Sequence, residues 1–286
     1  MVDIEQIISA ALKKWGSQLS AIAIFGSFAR RQEYKDIDIL IVLEKIDKNR
    51  IERIGDIAEI KRVLDFPADI LLFSKEECLD NFKGHNPLFL DIAIEGEIIY
   101  DSGFLGKLID DIRLEIKKKK IKKEFSRWIF PVKDRIPTPL SEITNKDWAN
   151  YWLDDAQRDL KAAEYLSHEK LYERAVYHCQ QAVEKAVKAI LMCFGAYEKT
   201  HYVASILRKE IANRDIEEYS EELNIIMRIA EELEPHVSLS RYPGISMGKV
   251  WLPSKEYTEE IAEIALEDTR KALRACGDFV KWWFEK

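Results

Sequence analysis

Apolar residues in the first hundred positions form two kinds of pattern, one with the period of a helix and one made of continuous runs. A helical stripe opens the chain and stops at Gly16; its members are Ile4, Ile7, Ile8, Ala11, Leu12 and Trp15. Two apolar runs follow, over residues 21–25 and 37–43, and the polar turn between them begins with Gly26-Ser27. Runs of this length, bounded by turn residues, predict two buried strands.

The next sixty residues alternate between the same two patterns. Asp47 is a candidate N-cap for a helix that extends to Leu64, and a strand is predicted over 67–73. A short helix around 88–94 and a strand over 97–100 complete this region. The alternation predicts an α/β (α+β) domain with one small mixed sheet.

The pattern changes again after residue 101, where the chain is expected to connect two domains. Residues 102–127 are predicted to form a helix that contains a lysine run over 117–123. Lysines at a helix C-terminus favour a solvated helix end, and the alternative is a cationic track for RNA or a nucleotide. Pro131, Pro137 and Pro139 then indicate a linker. The expected organisation is a first domain over 1–101, a connecting helix and proline-containing linker over 102–145, and a second domain over 146–286.

From residue 146 onward the chain shows helical periodicity only. The apolar stripes predict five helices, over 147–166, 171–194, 201–211, 216–233 and 257–283. A tight turn joins the first two, so they are expected to pack antiparallel. The second domain is therefore predicted to be an all-α, up-and-down helical bundle.

The composition narrows the class of protein. Of the 286 residues, 47% are apolar, and no run of 18 apolar residues occurs, so the sequence predicts a globular chain with no membrane span. A net charge of −7 disfavours general binding to nucleic acid and restricts such contact to a local patch. The four cysteines lie far apart, which is typical of buried thiols in a reducing compartment, and a cytoplasmic location is expected.

Two aspartates and a glycine-serine bend supply the candidate chemistry of the first domain. Asp36 and Asp38 are two residues apart, so on a strand their carboxylates point the same way and repel each other unless a cation lies between them. Oxygen ligands with no nearby His or Cys favour Mg²⁺ or Mn²⁺. Gly26 lets backbone amides approach an anion, and Ser27 adds a hydroxyl donor. The pattern indicates a phosphate-binding turn beside a metal-binding carboxylate pair; the alternative is a hairpin whose aspartates are merely solvated.

These residues resemble the minimal nucleotidyltransferases of the polymerase-beta-like superfamily, in which Gly-Ser precedes Asp-x-Asp and a later strand carries a third carboxylate. The resemblance covers residues 1–101 and makes Asp69 the third acid. It implies catalytic and metal-binding roles for Asp36, Asp38 and Asp69, and triphosphate contacts for Gly26, Ser27, Arg30 and Arg31. Eight residues separate Ser27 from Asp36, fewer than is usual in the family, and Lys35 stands where a serine is common. A shorter turn could draw Ser27 away from the phosphates.

The second predicted helix of the bundle has two distinct faces. Val183, Ala186, Val187 and Ile190 form an apolar stripe. On the opposite side, within about 80° at about 100° per residue, lie His178, Gln181, Lys185 and Lys188. The small residues in the apolar stripe allow a neighbouring helix to approach closely.

The helical half resembles the HEPN domain (higher eukaryotes and prokaryotes nucleotide-binding). The resemblance covers 147–286 and depends on a Gln-Gln-Ala-x-Glu-Lys-Ala-x-Lys-Ala core that begins at Gln180, on Thr200-His201 and on Arg241-Tyr242-Pro243. Many HEPN proteins are RNases with Arg, four to six residues, then His. Here three residues separate Arg174 from His178 and seven separate Arg228 from His236, so this nuclease motif is absent. The resemblance instead implies nucleotide or RNA binding, with phosphate contacts from Lys185, Lys188 and Arg241.

The two resemblances together predict a metal-dependent nucleotidyltransferase that moves an NMP from an NTP, with ATP the expected donor, to a hydroxyl acceptor. In paired systems of this kind the transferase modifies its HEPN partner, which makes Tyr177 and Tyr242 candidate self-targets. RNA is a candidate partner, and a homodimer through the helical domain is expected. Its predicted surface consists of Phe279, Val280, Trp282, Trp283 and Phe284. The alternative is a non-catalytic nucleotide- or RNA-binding protein of toxin–antitoxin type.

Overall fold

A computed structural model describes residues 4–212, 214, 216–246 and 248–285. The chain divides into two compact units, the first ending at Ile121 and the second beginning at Lys122. The first unit is built on a sheet and the second on helices.

The first unit alternates short helices with the four strands of one sheet. Its elements are α1 (Ile4–Trp15), β1 (Leu19–Phe25), α2 (Gly26–Ala29), β2 (Ile37–Leu43), α3 (Ile54–Lys61), β3 (Ala68–Ser74), α4 (Lys75–Lys83), α5 (Pro87–Glu95), β4 (Glu97–Asp101) and α6 (Leu105–Lys119). The strands lie in the order β3-β2-β1-β4. β2 and β3 are parallel, whereas β1 pairs antiparallel with both β2 and β4. The prediction of a small mixed sheet is confirmed.

The core of this unit lies where the two central strands meet the helices. Every residue of β1 is buried, and along β2 only Asp38 is partly exposed. Ile7 and Ala11 of α1 and Ile60 of α3 pack in the same cluster as the strand residues. The continuous apolar runs of the sequence therefore correspond to strands that are covered on both faces.

Two helices of the first unit are shorter than the sequence predicted. The helix expected from Asp47 to Leu64 forms only as α3, because Arg53 is buried and donates to the Lys48 and Leu72 carbonyls, which holds the preceding segment in turns. The helix expected over 102–127 ends at Lys119, because Lys120 adopts a left-handed conformation with φ of 57°.

Helix α4 was not predicted, although it begins with a recognisable signal. The Ser74 hydroxyl accepts from the Glu77 amide, and the Glu77 carboxylate accepts from the Ser74 amide. This reciprocal capping box starts the helix directly at the end of β3.

The second unit is a helical bundle with two small sheets at its periphery. Its elements are β5 (Lys122–Glu124), β6 (Arg127–Ile129), α7 (Asn145–His168), α8 (Tyr172–Cys193), β7 (Ala196–Glu198), α9 (Ala204–Ile211), α10 (Ser220–Leu233), α11 (His236–Leu239), β8 (Gly244–Ser246), β9 (Lys249–Trp251), α12 (Pro253–Glu256) and α13 (Glu259–Glu285). The five predicted helices are α7, α8, α9, α10 and α13. The sheets β5-β6-β7 and β8-β9 were not predicted, because each strand has three residues and depends on its pairing partner.

Helix α8 is the centre of the bundle and packs against α7, α10 and α13. Fourteen of its residues are buried, including the apolar stripe that the sequence predicted. The proline-containing segment before α7 is attached to this core by Asn145, which is fully buried. The Asn145 side chain accepts from the Thr138 amide and donates to the Cys193 carbonyl.

The aromatic C-terminus is not an exposed surface. Phe279, Val280, Trp283 and Phe284 are buried within the helical unit, and only Trp282 is partly exposed. The Phe279 and Trp283 rings pack on Phe194, with centroids 6.0 and 5.1 Å apart. The prediction that these residues form a dimer surface is therefore wrong, because α13 uses its aromatic face to cover α8.

Among the described residues, no helix combines the length and the apolar character needed to cross a membrane.

Candidate functional site

The bend after β1 brings backbone directly against an acid on the neighbouring strand. Gly26 has a φ of +73°, and a Cβ built on it would lie 2.0 Å from Oδ2 of Asp38. With Asp38 in this rotamer a side chain at position 26 would overlap the carboxylate, and the positive φ independently favours glycine. The bend then continues as the single turn α2, in which the Arg30 amide donates to the Gly26 carbonyl.

The parallel pairing of β2 and β3 places Asp38 directly beside Asp69. Paired residues of adjacent strands project from the same face of a sheet, so the two carboxylates share one face. Asp38 is partly buried, and Asp69 is exposed. Asp36 is exposed and precedes the first residue of β2.

The three acids lie at one end of the sheet without forming a closed cluster. In the part of the chain that the structure describes, no three His, Cys, Asp or Glu side chains are grouped so that they could hold a metal ion. The register does bring two carboxylates to adjacent positions, and carboxylate oxygens are the ligands that Mg²⁺ and Mn²⁺ prefer. The donor set fits a hard divalent cation.

The basic residues near the bend have partners of their own. Arg30 Nη1 lies 2.5 Å from Oε2 of Glu95, and Arg30 Nε donates to Gln32. Arg31 is exposed and has a left-handed backbone with φ of 56°. Lys61 of α3, which the sequence did not single out, has its Nζ 3.7 Å from Oδ1 of Asp69. Lys61 is therefore the cationic side chain near Asp69, whereas Arg30 is paired with Glu95.

The shortened turn between Ser27 and Asp36 is closed by local contacts. The Gln32 amide donates to the Ser27 carbonyl at 3.0 Å. The Phe28 and Tyr34 rings pack edge to face with centroids 5.0 Å apart. Ser27 therefore stays in the helical turn α2 beside Gly26, and the eight residues that follow are long enough to reach Asp36.

In the helical unit, the predicted phosphate-binding lysines lie in ion pairs. Lys185 Nζ is 2.6 Å from both Asp155 Oδ2 and Asp159 Oδ2. Burial lowers the pKa of Lys185, but hydrogen bonds to the two aspartates outweigh it and raise the pKa above the ordinary value. Asp159 also contacts His178, whose Nδ1 lies 2.8 Å from Oδ1. Lys185 of α8 thus forms ion pairs with two aspartates of α7, and these carboxylates balance its charge.

Glu184, to which the sequence pattern assigned no role of its own, is the centre of a second polar network. It is 6% exposed, and its carboxylate accepts from Lys188 at 2.8 Å and from Gln180 at 3.0 Å, while His201 Nδ1 lies 2.9 Å away. Burial raises the pKa of Glu184, but these partners outweigh it and hold the pKa below the ordinary value. The position of Glu184 inside the Gln-Gln-Ala-x-Glu-Lys motif was the sequence feature that could have indicated this buried carboxylate.

Arg241 lies beside aromatic rings. Its Nε donates to the Val237 carbonyl at 2.6 Å, and its guanidinium lies 5.1 Å from the Tyr177 ring centroid and 4.9 Å from that of Tyr242. Tyr242 is exposed, and Tyr177 is half-buried. The structure thus brings Arg241 and both candidate tyrosines together, and it pairs Lys185 and Lys188 with carboxylates.

Comparison with known proteins matches each unit to a family. Residues 4–100 match the model of the nucleotidyltransferase domain, and residues 149–279 match that of the HEPN domain. Two proteins of Methanocaldococcus jannaschii are similar. The one named "Putative toxin MJ1304" is 40% identical over 139 residues, which are 48% of this chain and 91% of that protein. The one named "Putative protein adenylyltransferase MJ1305" is 31% identical over 125 residues, which are 40% of this chain and 82% of that protein.

A solved structure described as ST0689, an archaeal HEPN homologue, is 26% identical. The match covers 46% of this chain and 98% of that one, with a TM-score of 0.36. The two Methanocaldococcus relatives are matched over most of their own lengths, at identities above 30%. The chain therefore belongs to the nucleotidyltransferase family through its first unit and to the HEPN family through its second, and it is a nucleotidyltransferase fused to a HEPN domain.

Proposed function

We propose that the first unit transfers an NMP from an NTP, with ATP as donor, to a hydroxyl group at the end of the sheet where Gly26, Asp38 and Asp69 meet. The observation that carries this proposal is the in-register pairing of Asp38 with Asp69. Asp38 lies against Gly26, whose lack of a Cβ leaves room for the carboxylate. A phosphate-binding bend and adjacent hard ligands are the two elements that this chemistry requires.

In this proposal, Asp36, Asp38 and Asp69 hold Mg²⁺ or Mn²⁺. The ion supplies charge neutralisation on the triphosphate and lowers the pKa of the acceptor hydroxyl. The Gly26 amide and the Ser27 hydroxyl bind phosphate oxygens, with Arg31 neutralising charge and Arg30 joining it if its pair with Glu95 opens.

The proposed reaction is an in-line displacement at the α-phosphorus. The acceptor oxygen forms a bond to the α-phosphorus, the bond from phosphorus to the bridging oxygen breaks, and pyrophosphate leaves. Asp69 orients the acceptor hydroxyl and takes its proton. Asp69 suits this role because it is exposed, whereas Asp38 is partly buried against Gly26.

The test is transfer of label from α-labelled ATP by the full chain with Mg²⁺. We expect Asp38→Asn and Asp69→Asn each to lower the rate at least ~100-fold, because each removes charge that acts where the transition state develops. Asp47→Asn is the matched control, since Asp47 is an exposed aspartate of the same unit outside the sheet. A rate in Asp38→Asn equal to that of the control would refute the assignment.

We propose a protein tyrosine as the acceptor. The relative named a protein adenylyltransferase supports this class, and Tyr242 is the better candidate in this chain because it is 59% exposed, whereas Tyr177 is half-buried. Intact mass after incubation with ATP and Mg²⁺ should show one added AMP, absent in Tyr242→Phe and retained in the control Tyr165→Phe. No added mass in the wild-type chain would remove self-modification from the proposal.

A second candidate is a non-catalytic nucleotide- or RNA-binding protein of toxin–antitoxin type, which the relative named as a toxin favours for the helical unit. Calorimetry separates the two. NTP binding that requires Mg²⁺ supports the carboxylate site, and metal-independent binding supports the helical unit. We also propose self-association through the helical unit, which light scattering measures.

A further inference from the structure

The turn between the Gly26-Ser27 bend and Asp36 carries an exposed aromatic side chain. Tyr34 is 46% exposed and precedes Asp36 by two positions. In the proposed transfer, the bend contacts phosphates, the aspartates hold the metal ion, and Asp69 receives the acceptor. The base of the NTP has no partner among these groups, and an exposed aromatic ring is the kind of side chain that binds a base by stacking.

Phe28 holds the ring of Tyr34 beside the bend. Phe28 follows Ser27 in α2 and packs against the core of the sheet. The two rings meet edge to face, with centroids 5.0 Å apart and an interplanar angle of 84°. Two backbone hydrogen bonds close the turn, from the Arg31 amide to the Phe28 carbonyl and from the Gln32 amide to the Ser27 carbonyl. Tyr34 therefore lies in contact with the residue that follows Ser27, inside one compact unit.

The packing on Phe28 leaves a face of the Tyr34 ring uncovered. In an edge-to-face pair the rim of one ring meets the face of the other, so the pair covers at most one face of each ring. Among the described residues, the pair with Phe28 is the aromatic contact of Tyr34. We propose that the Tyr34 ring stacks on the base of the NTP, and this inference rests on the proposed transfer reaction.

The charges of the turn suit a ligand in which a flat ring is attached to phosphates. Arg31 and Lys35 are exposed in the same turn as Tyr34, and Glu33 is the acid between them. The excess of positive charge attracts phosphates, and the ring adds an attraction for the base. Stacking of one base on an aromatic side chain strengthens binding by about 5- to 150-fold. Every base has a π face, so the ring favours a nucleoside triphosphate over a ligand without a base and does not by itself select adenine.

The test compares two ligands of the full chain by calorimetry, one with a base and one without. α,β-Methylene-ATP carries the base and resists cleavage at the α-phosphorus, and ribose triphosphate lacks the base. Each titration is made with Mg²⁺ and again with EDTA, and the binding that requires Mg²⁺ is assigned to the carboxylate site. The wild-type chain should bind α,β-methylene-ATP about 5- to 150-fold more tightly than ribose triphosphate.

Tyr34→Ala separates stacking from a structural role of the ring. If Tyr34 only supports the bend through Phe28, its removal weakens both ligands equally, and the ratio of the two dissociation constants stays at the wild-type value. If the ring stacks, α,β-methylene-ATP should bind about 5- to 150-fold more weakly while ribose triphosphate binds as it does to the wild type. Tyr34→Phe keeps the ring and should keep the ratio. Tyr165→Ala, at an exposed tyrosine of the helical unit, is the matched control.

The outcomes distinguish base stacking from the proposed function as a whole. Equal affinity of the wild-type chain for the two ligands, or an unchanged ratio in Tyr34→Ala, would overturn base stacking on Tyr34 and leave the phosphate and metal site in place. Absence of Mg²⁺-dependent binding of either ligand to the wild-type chain would overturn the stacking and the proposed site together.

Discussion

Replacement of Gly26 by alanine tests whether its close approach to Asp38 builds the site. The new Cβ would lie 2.0 Å from Oδ2 and 2.9 Å from Cγ of Asp38. Non-bonded heavy atoms prefer about 3.5 Å, so the carboxylate or the bend must move by about 1.5 Å. Alanine at positive φ costs about 1–2 kcal/mol and the overlap a further ~1–3 kcal/mol, so the free energy of unfolding should fall by about 2–5 kcal/mol.

Gly16→Ala is the matched control. Gly16 also has a positive φ, of +52°, but a Cβ there meets nothing within 4 Å. Gly16→Ala should therefore lower the free energy of unfolding by only the ~1–2 kcal/mol that alanine loses at a positive φ. In an Asp38→Ala background, the atom of residue 38 nearest to the new side chain is its Cβ, at 3.4 Å, so Gly26→Ala should lower the free energy of unfolding no more than the control does.

Urea denaturation measures the stabilities, and transfer from α-labelled ATP measures the activity. A displacement of about 1 Å at a reacting centre lowers a rate by about 100-fold, which is the loss expected for Gly26→Ala, whereas Gly16→Ala should keep the wild-type rate. Equal unfolding costs for the two alanine variants, or an undiminished cost in the Asp38→Ala background, would refute the reasoning.

Three further substitutions test the polar contacts that support the two units, each measured by urea denaturation. Glu184→Gln leaves Lys188 without its buried charge partner and should cost about 3 kcal/mol. The pKa of Glu184 is held low in the folded state, so the loss in free energy of unfolding relative to wild type should be largest at neutral pH and shrink as the pH falls through the carboxylate range. A loss that does not change with pH would contradict the ion-pair account. Asp101→Ala removes a carboxylate that accepts four backbone amides at the start of α6 and should cost about 1–2 kcal/mol, and an unchanged stability would show that the cap is redundant. Arg53→Met breaks a bidentate pair with Glu77, at 2.7 and 3.0 Å, and should cost about 3 kcal/mol, so a stabilised variant would show that the apolar replacement packs better than the ion pair.

Strand β2, which carries Asp38 and directly follows Asp36, and the bend before it could be predicted from the sequence. These features are local: a continuous apolar run predicts a buried strand, and glycine at a strand end permits a backbone that other residues disfavour. The same holds for the long helices α7, α8 and α13, whose apolar stripes repeat over many turns.

Helix ends and short strands were harder to predict, because distant contacts decide them. Buried Arg53 holds the residues before α3 in turns through its bonds to Leu72 and Glu77. The three-residue strand β6 pairs not only with β5 but also with β7, about seventy residues later, where Arg127 faces Glu198. A local pattern contains neither partner.

The sequence by itself determined which acids and which bend are available in this protein, because those depend on residue type and local period. Only the tertiary structure decided that Asp69 stands in register with Asp38, since pairing β3 with β2 crosses a whole helix of intervening chain. It also decided that Lys185 and Lys188 lie beside carboxylates and that Trp283 is buried. A helical wheel or an apolar run shows on which face of its own helix or strand a side chain lies. The residue that contacts it there comes from another part of the chain, so the local pattern does not identify it.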